Sequence, residues 1–296
     1  MISVVIPTYN RCEAVLVLLS TIYTQTGSSF EVLVVDDGSD DATVDEIRRQ
    51  YPATIILENI TNIGPAASRN RGILASSGII IVGLDSDTSI SDTSLFWRIK
   101  EFFEQHDGAD CAAFRILKPD GVTEDVERWW HPLPVGNYGN VQFLSDYFSG
   151  TGYAIRKHAA VGSGLFPEHF FMHYEEVQLA WRLIDRGCKI LYVPDLTVIH
   201  HVNPVSTRNT VEVFFKPRNQ LLLAIGCLPL GNAVYYALPR VFFQFTKAAH
   251  RGHLREFFLA MRSAFCQMPS LIRTRQPVQR QTIRRMKRLR NSCVNV

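Results

Sequence analysis

Paired cysteine motifs are absent: the six cysteines stand singly at positions 12, 111, 188, 227, 266 and 293. That leaves no disulfide framework and no zinc cluster, and it fits the reduced thiols of a cytosolic protein. Glycine is missing from Pro7-Thr8-Tyr9-Asn10-Arg11, the segment after the first apolar run, and no G-K-[S/T] occurs anywhere. A dinucleotide-binding turn and a P-loop are therefore both excluded. An unbroken apolar run of about twenty residues, the length a membrane span wants, is also lacking. The strongest stretch, Leu221 to Leu238, is interrupted by Pro229, Gly231 and Asn232 and stopped by Pro239, so it is marginal as a span. Acid is nearly absent from the C-terminal part. From Lys247 onward there are twelve Lys or Arg and one acid, Glu256; that part is +11 and residues 1–246 are −8, within a chain total of +3. Such a split predicts an acidic body with a basic arm for an anionic lipid surface or nucleic acid. No signal peptide precedes Met1-Ile2-Ser3-Val4-Val5-Ile6, which already reads as a strand, so the chain is expected on the cytoplasmic side.

What is present is ordinary globular composition, 46% hydrophobic and 20% charged in 296 residues, enough for one large core with an appendage. Ser3 to Ile6 predicts a first strand, and a helix with apolar Val15, Leu18, Leu19 and Ile22 follows. Phe30 to Val35 predicts a second strand that ends in Asp36-Asp37-Gly38-Ser39. Next come a charged helix from Thr43 to Gln50, a short strand from Ile55 to Leu57 and a turn at Asn62-Ile63-Gly64-Pro65. Pro65 suits the start of a helix that carries Arg69 and Asn70 and runs to Gly78. Ile79 to Val82, all β-branched, predicts a strand buried on both faces of a parallel sheet. Asp85-Ser86-Asp87 follows it. In an extended segment the two carboxylates would diverge, whereas in a turn both can converge on a hard divalent cation, Mg2+ or Mn2+. A lone Asp-x-Asp arises by chance about once in such a chain; its place after a buried strand, where α/β sheets bind ligands, gives it meaning.

Four segments in order, Val4-Val5-Ile6-Pro7-Thr8-Tyr9-Asn10, Val34-Val35-Asp36-Asp37-Gly38-Ser39, Asn62-x-Gly64 with Arg69-Asn70-x-Gly72, and Leu84-Asp85-Ser86-Asp87, resemble the nucleotide-sugar half of family-2 glycosyltransferases. The similarity is to bacterial cell-surface polysaccharide transferases of the rhamnosyltransferase-like kind. It continues through Gly150-Thr151-Gly152-Tyr153 and Gly164-Leu165-Phe166-Pro167 to His173-Tyr174-Glu175-Glu176-Val177-Gln178-Leu179. There the family usually carries Glu-Asp-x-Asp-Leu, so Glu176 replaces an Asp and Gln178 replaces a second one. The resemblance implies an α/β class chain with the GT-A fold and a mostly parallel central sheet; the apolar and basic residues that follow it predict a C-terminal helical, membrane-associating extension. The expected division is residues 1–210 for the transferase domain (1–90 nucleotide-sugar half, 91–210 acceptor half) and 211–296 for the extension. The implied activity is inverting transfer of a sugar, with dTDP-rhamnose favoured as donor, to a glycan or polyprenyl-linked acceptor. The alternative is a catalytically inactive sugar-nucleotide-binding or scaffold protein, suggested by Glu176 and Gln178. A nucleotidyltransferase lacks its glycine-rich basic signature here.

By the same resemblance Pro7, Thr8, Tyr9, Asp36, Asp37, Asn62, Arg69 and Asp85 hold the donor, with Asp36 and Asp37 toward base and ribose and Arg69 toward phosphate or base. Asp87 is the first choice of metal ligand. Asp85 reaches the ribose, the metal or its water, and His200 helps bind metal or diphosphate; His201 is its alternative, since strand alternation sends the two to opposite faces. Glu176 is the base that takes the acceptor proton, and Glu175 beside it raises its pKa or replaces it. Trp129 and Trp130, with Tyr138, either stack on an acceptor or pack in the core, and Gly152 lies on the acceptor side. At the far end Phe214 to Leu223 resembles the family's Arg-Asn motif. Leu254, Phe257, Phe258, Met261 and Phe265 share one helical face, which suits an interfacial helix or a pair packed on the core. Arg273 to Arg290 places eight cations in eighteen residues. Its apolar upstream neighbours favour an anionic membrane surface over nucleic acid, and hence a peripheral position on the cytoplasmic face of the cell membrane.

Overall fold

Alternation along the first strand sets the architecture. In β1 (Ile2–Thr8) Val4 and Ile6 face one hydrophobic layer and Val5 faces the other, so the strand is buried on both sides. The computed structural model describes residues 1–201 and 208–291. Its elements are α1 (Cys12–Ile22), β2 (Phe30–Asp36), α2 (Thr43–Gln50), β3 (Ile55–Glu58), α3 (Pro65–Ala75), β4 (Ile80–Leu84), β5 (Thr88–Ser89), α4 (Leu95–Gln105) and β6 (Cys111–Leu117). They continue with α5 (Val135–Tyr138), β7 (Phe143–Ser145), β8 (Gly152–Arg156), α6 (Lys157–Gly162), a 3-10 turn at Glu168–Phe170, α7 (Glu175–Asp185) and β9 (Ile190–His200). Four helices close the chain: α8 (Arg208–Cys227), α9 (Leu230–His250), α10 (Leu254–Thr274) and α11 (Arg280–Asn291).

The strands form one sheet in the order β3-β2-β1-β4-β8-β6-β9-β5, with β7 also on β9. β3, β2, β1, β4, β6 and β9 run one way, while β8, β5 and β7 oppose them. The chain leaves β1 toward β2 on one side, and β4 lies on the other. The carboxyl ends of β1 and β4 are thus neighbours from which loops diverge, the crevice where open α/β sheets bind ligands.

Two apolar layers cover the sheet. α1, α2 and α4 pack one face through Leu18, Ile47 and Phe96. α3, α6, α7 and α8 pack the other through Ile73, Ala160, Leu179 and Leu222. The helical extension expected from residue 211 therefore shares the main core through α8 and is not a detached arm. Residues 202–207, just before that boundary, lie outside the described residues, as does Cys293. Two local expectations change. Ile79 is 69% exposed because β4 starts one residue later, at Ile80. Ile190–Val193 and Thr197–Ile199, which Pro194 and Asp195 divide into two short strands when the sequence is read alone, are one, β9, whose pairing with β6 shifts register between Phe114 and Arg115.

Candidate active site

Asp85 is the first residue beyond β4, and the turn there closes when Thr88 donates its N–H to the Asp85 carbonyl at 3.2 Å. Asp85 and Asp87 consequently both line one cleft of about 400 Å³, together with Pro7, Thr8, Tyr9 and Arg11 from the loop after β1. Their carboxylates meet different partners. One Asp85 oxygen accepts from Arg69 Nη2 at 2.6 Å and the other from Thr151 Oγ1 at 3.0 Å, so both of its oxygens are hydrogen-bonded. Burial pushes the Asp85 pKa up, but Arg69, then Arg128 and His200, hold it below the ordinary carboxylate value. Asp87 faces elsewhere. One oxygen pairs with Arg11, and the other lies 3.7 Å from His200 Nε2.

His200 settles the alternation at the end of β9. It is buried, and its Nδ1 lies 2.8 Å from Asp125 Oδ2. A carboxylate only accepts, so Nδ1 donates to Asp125 and Nε2 is the nitrogen that faces Asp87. His201 turns away and meets Ser89 Oγ at 2.7 Å. An oxygen and an imidazole nitrogen 3.7 Å apart can both ligate one Mg2+ or Mn2+ ion. Among the described residues no three His, Cys, Asp or Glu side chains converge as a complete metal site. Asp87 and His200 are the residues here that could give two ligands to a cation whose remaining ligands come with a phosphate-bearing substrate.

Opposite stand the two glutamates that begin α7. Glu175 is 3% exposed, with Oε1 accepting from Arg69 Nη1 at 3.2 Å and Oε2 buried without a partner. Burial, then repulsion from Glu176, pushes its pKa well up, and Arg69 only partly opposes this. Glu176 is more open; its Oε1 accepts the Gly150 N–H at 3.2 Å. Burial raises its pKa as well, again against Arg69. A Cβ on Gly150 would stand 2.5 Å from that glutamate oxygen, so only glycine permits the approach. Gln178 is 9% exposed and does not line the cleft, so the charge missing at that position is missing from behind the cleft wall.

The α7 start is held in an unusual backbone. Phe171, His173 and Tyr174 have φ of 66°, 68° and 71°, a left-handed region that costs non-glycine residues energy. The Arg-Asn pair of α8 stabilises it. Asn219 Nδ2 donates to the carbonyls of Met172 and His173 at 2.7 and 2.9 Å and reaches that of Phe170 at 3.0 Å, while Arg218 Nη2 donates to the His169 carbonyl at 2.7 Å.

Several expected ligands do other work. Asp36 does not line the cleft; its Oδ2 accepts the Ser39 N–H at 3.0 Å and shapes the turn. Asp37 lines it, yet both oxygens hold the neighbouring loop, accepting the N–H groups of Ile63 at 2.9 Å and Gly64 at 2.8 Å. Asn62 Oδ1 also accepts from Gly64, whose φ of 90° brings the chain under Phe171. Asn62 is thus a turn former outside the cleft wall. Arg69 does line the cleft, but as a buried cation bridging Asp85 and Glu175 and not as a free phosphate clamp. Trp129 packs away from the cleft, edge-on to Tyr192 at 4.9 Å beside Phe143 and His131, with Tyr138 against the same cluster. Burial there takes the His131 pKa down to about 3. Gly152 is a packing position, since a Cβ would meet Val198 at 2.7 Å; its neighbour Thr151 faces the site instead. Trp130 lines the cleft, 37% exposed, against Tyr147 and Tyr174. Arg11, Asp125 and Arg128 are site residues that the sequence did not reveal. The last two fall between β6 and β7 in a segment without periodicity.

A protein-family model, Glycosyl transferase family 2, matches residues 3–163, more than half the chain. The glycosyltransferase AglE of Haloferax volcanii is 43% identical over 218 residues, 69% of this chain and 67% of that protein. The poly-beta-1,6-N-acetyl-D-glucosamine synthase of Staphylococcus aureus is 26% identical over 194 residues, 63% of this chain but only 46% of its own length. An uncharacterised glycosyltransferase of Haemophilus influenzae is 44% identical over 87 residues, 29% of either chain. Among solved structures, S. aureus TarS 1-349 in complex with UDP-GlcNAc superposes with a TM-score of 0.62 at 18% identity, over 95% of this chain and 82% of that one. The mannosyltransferase PcManGT from Pyrobaculum calidifontis, in complex with GDP-Man and Mn2+, gives 0.61 at 18%, over 97% and 83%. The chain belongs to glycosyltransferase family 2 and is a glycosyltransferase of the GT-A fold.

Proposed function

We propose that the chain transfers a sugar, with inversion, from a nucleotide-diphospho-sugar to a hydroxyl of a glycan or polyprenyl-linked acceptor, in the making of cell-surface polysaccharide. The observation that carries this reading is the meeting of the Asp87–His200 pair and Glu176 in one cleft at the carboxyl ends of β1 and β4. Mg2+ or Mn2+ held by Asp87 and His200 would neutralise the departing diphosphate. Arg11 and Arg128 add fixed positive charge beside it. Glu176 accepts the acceptor proton; its raised pKa brings its basicity nearer to working pH than that of an exposed glutamate. Glu175 and Arg69 form the buried pair behind it, and Trp130 offers an apolar face for the acceptor. Relatives and neighbours whose names carry N-acetylglucosamine or mannose support a hexose donor, and the rhamnosyltransferase-like sequence makes dTDP-rhamnose a further candidate. A lipid-linked acceptor would place the chain peripherally on the cytoplasmic face of the cell membrane.

The test is a panel of UDP-, GDP- and dTDP-sugars scored by thermal shift with Mg2+ or Mn2+, followed by nucleoside diphosphate release with a polyprenyl-linked acceptor. One donor should stabilise the chain in a metal-dependent way and be consumed, with the anomeric configuration reversed in the product. Metal-independent binding of every donor, or retention of configuration, would refute the mechanism.

A further inference from the structure

The helices α9 and α10 carry an apolar face that the transferase core does not cover. On α9, Leu230, Val234, Leu238, Phe242 and Phe245 are exposed and recur every three or four residues, so they form a single stripe. Arg240 and Lys247 lie two residues past Leu238 and Phe245, about 200° around the helix, on the opposite side. On α10 the exposed Phe258, Phe265 and Ile272 repeat every seven residues. Phe245 touches Phe257 and Phe258 across the two helices, with ring centroids 5.5 and 6.4 Å apart, which joins the two stripes into one surface. Arg255, Arg262 and Arg273, exposed on α10, run beside its apolar row as a basic border. A patch this large and this apolar marks an interaction site.

We infer that the α9–α10 face lies flat in the headgroup boundary of a bilayer that contains anionic lipid, with the arginine row against the phosphates. This deepens the lipid-linked acceptor reading, on which its purpose rests. Among the described residues no helix is long and apolar enough to cross a membrane, so the contact is interfacial. Charge complementarity selects the occupant. From Lys247 on Glu256 is the only acid, so a second copy of the chain meeting this face two-fold would bury two arginine rows with almost nothing to answer them. The same helical bundle reaches the active site, because Val211 and Glu212 of α8 line the cleft and α8 packs on α10 through Val213, Phe257 and Met261.

The experiment is co-sedimentation of the full chain with phosphatidylcholine vesicles, with and without about one-third phosphatidylglycerol. The wild type should pellet with the anionic vesicles and much less with neutral ones. The double variant Leu238→Gln/Phe242→Gln changes only exposed positions; it should keep the wild-type melting temperature and lose about tenfold or more in partitioning. The triple variant Arg255→Gln/Arg262→Gln/Arg273→Gln should lose the preference for anionic vesicles while keeping weak binding to both. Undiminished partitioning of the double variant, absence of wild-type binding to either vesicle, or a wild-type dimer dissolved by the double substitution would each overturn the inference. Vesicle binding without a thermal shift from any nucleotide sugar would refute the proposed function and leave this surface standing. The reverse result would do the opposite.

Discussion

Arg69 carries the electrostatics of the site. It is buried, and Asp85 and Glu175 answer its desolvated charge from two sides. That arrangement sets adjacent glutamates apart: both line the cleft, but Glu175 is buried against Arg69 and Glu176 is the more open of the two. Glu176→Gln keeps the shape but cannot take a proton, so turnover should fall by roughly a hundredfold with donor binding intact. Near-normal turnover would move the base to Glu175. Because the Glu176 pKa is raised, the acid limb of its kcat/KM profile should lie above the 4.5 of a free glutamate, with activity lost as pH falls through it. On the metal side, Asp87→Ala should abolish the metal dependence of donor affinity without unfolding the chain. Identical affinity with and without Mn2+ in the wild type would contradict that role. Position relative to a strand end made Asp85 and Asp87 legible in the sequence. The burial of Arg69 was not legible, because a polar helix position reveals nothing of what packs over it. The choice between His200 and His201, or between Thr151 and Gly152, is a one-residue register question that only the pairing of β9 and β8 answers.

At the scale of elements, the active-site glutamates depend on a helix distant in sequence. The backbone from Phe171 to Tyr174 is costly by itself, and α8 offsets that cost through the Asn219 amide and the Arg218 guanidinium. Asn219→Ala would take the side-chain donor from the Met172 and His173 carbonyls, while that of Phe170 keeps the Met172 N–H at 2.8 Å. It should lower stability by about 2–3 kcal/mol in denaturant melts, and kcat by roughly tenfold, with KM for the donor little changed. An unchanged kcat would mean that the loop holds its shape unaided. The strands and helices up to β4 lie within three residues of their expected bounds, α3 ending at Ala75 and not at Gly78, since most of them bury a regular face. The clamp does not follow from it, because hydrogen bonds between side chain and distant carbonyl leave no periodic trace. Asp125 and Arg128 were hidden for the same reason.

For the whole molecule, the basic C-terminal segment is a strap and not a loose arm. Ile283, Met286 and Leu289 are buried on one side of α11, and Asp185 accepts hydrogen bonds from the Gln279 N–H at 2.7 Å and the Thr282 hydroxyl at 2.6 Å at its start. Near its end Arg290 pairs with Asp146 at 2.9 Å. The apolar spacing was present in the sequence, but the density of charge around it pointed to a basic arm for an anionic surface. Charge governs the outer face and says little about the inner one. Burial raises the Asp146 pKa above its ordinary 3.8, and Arg290, half exposed, opposes the rise. A carboxyl whose folded pKa is raised costs stability once pH exceeds its unfolded value, and removing the opposing cation enlarges that cost. Arg290→Gln should therefore melt with the wild type at roughly pH 3.5, where Asp146 is largely protonated in both states, and fall behind as pH rises. By roughly pH 7.5 the gap should reach about 1–2 kcal/mol, discounted for the exposure of the arginine. Asp146→Asn in the same background should close the gap. A loss of stability equal at both pH values would show that Arg290 acts through packing and not through the buried carboxylate.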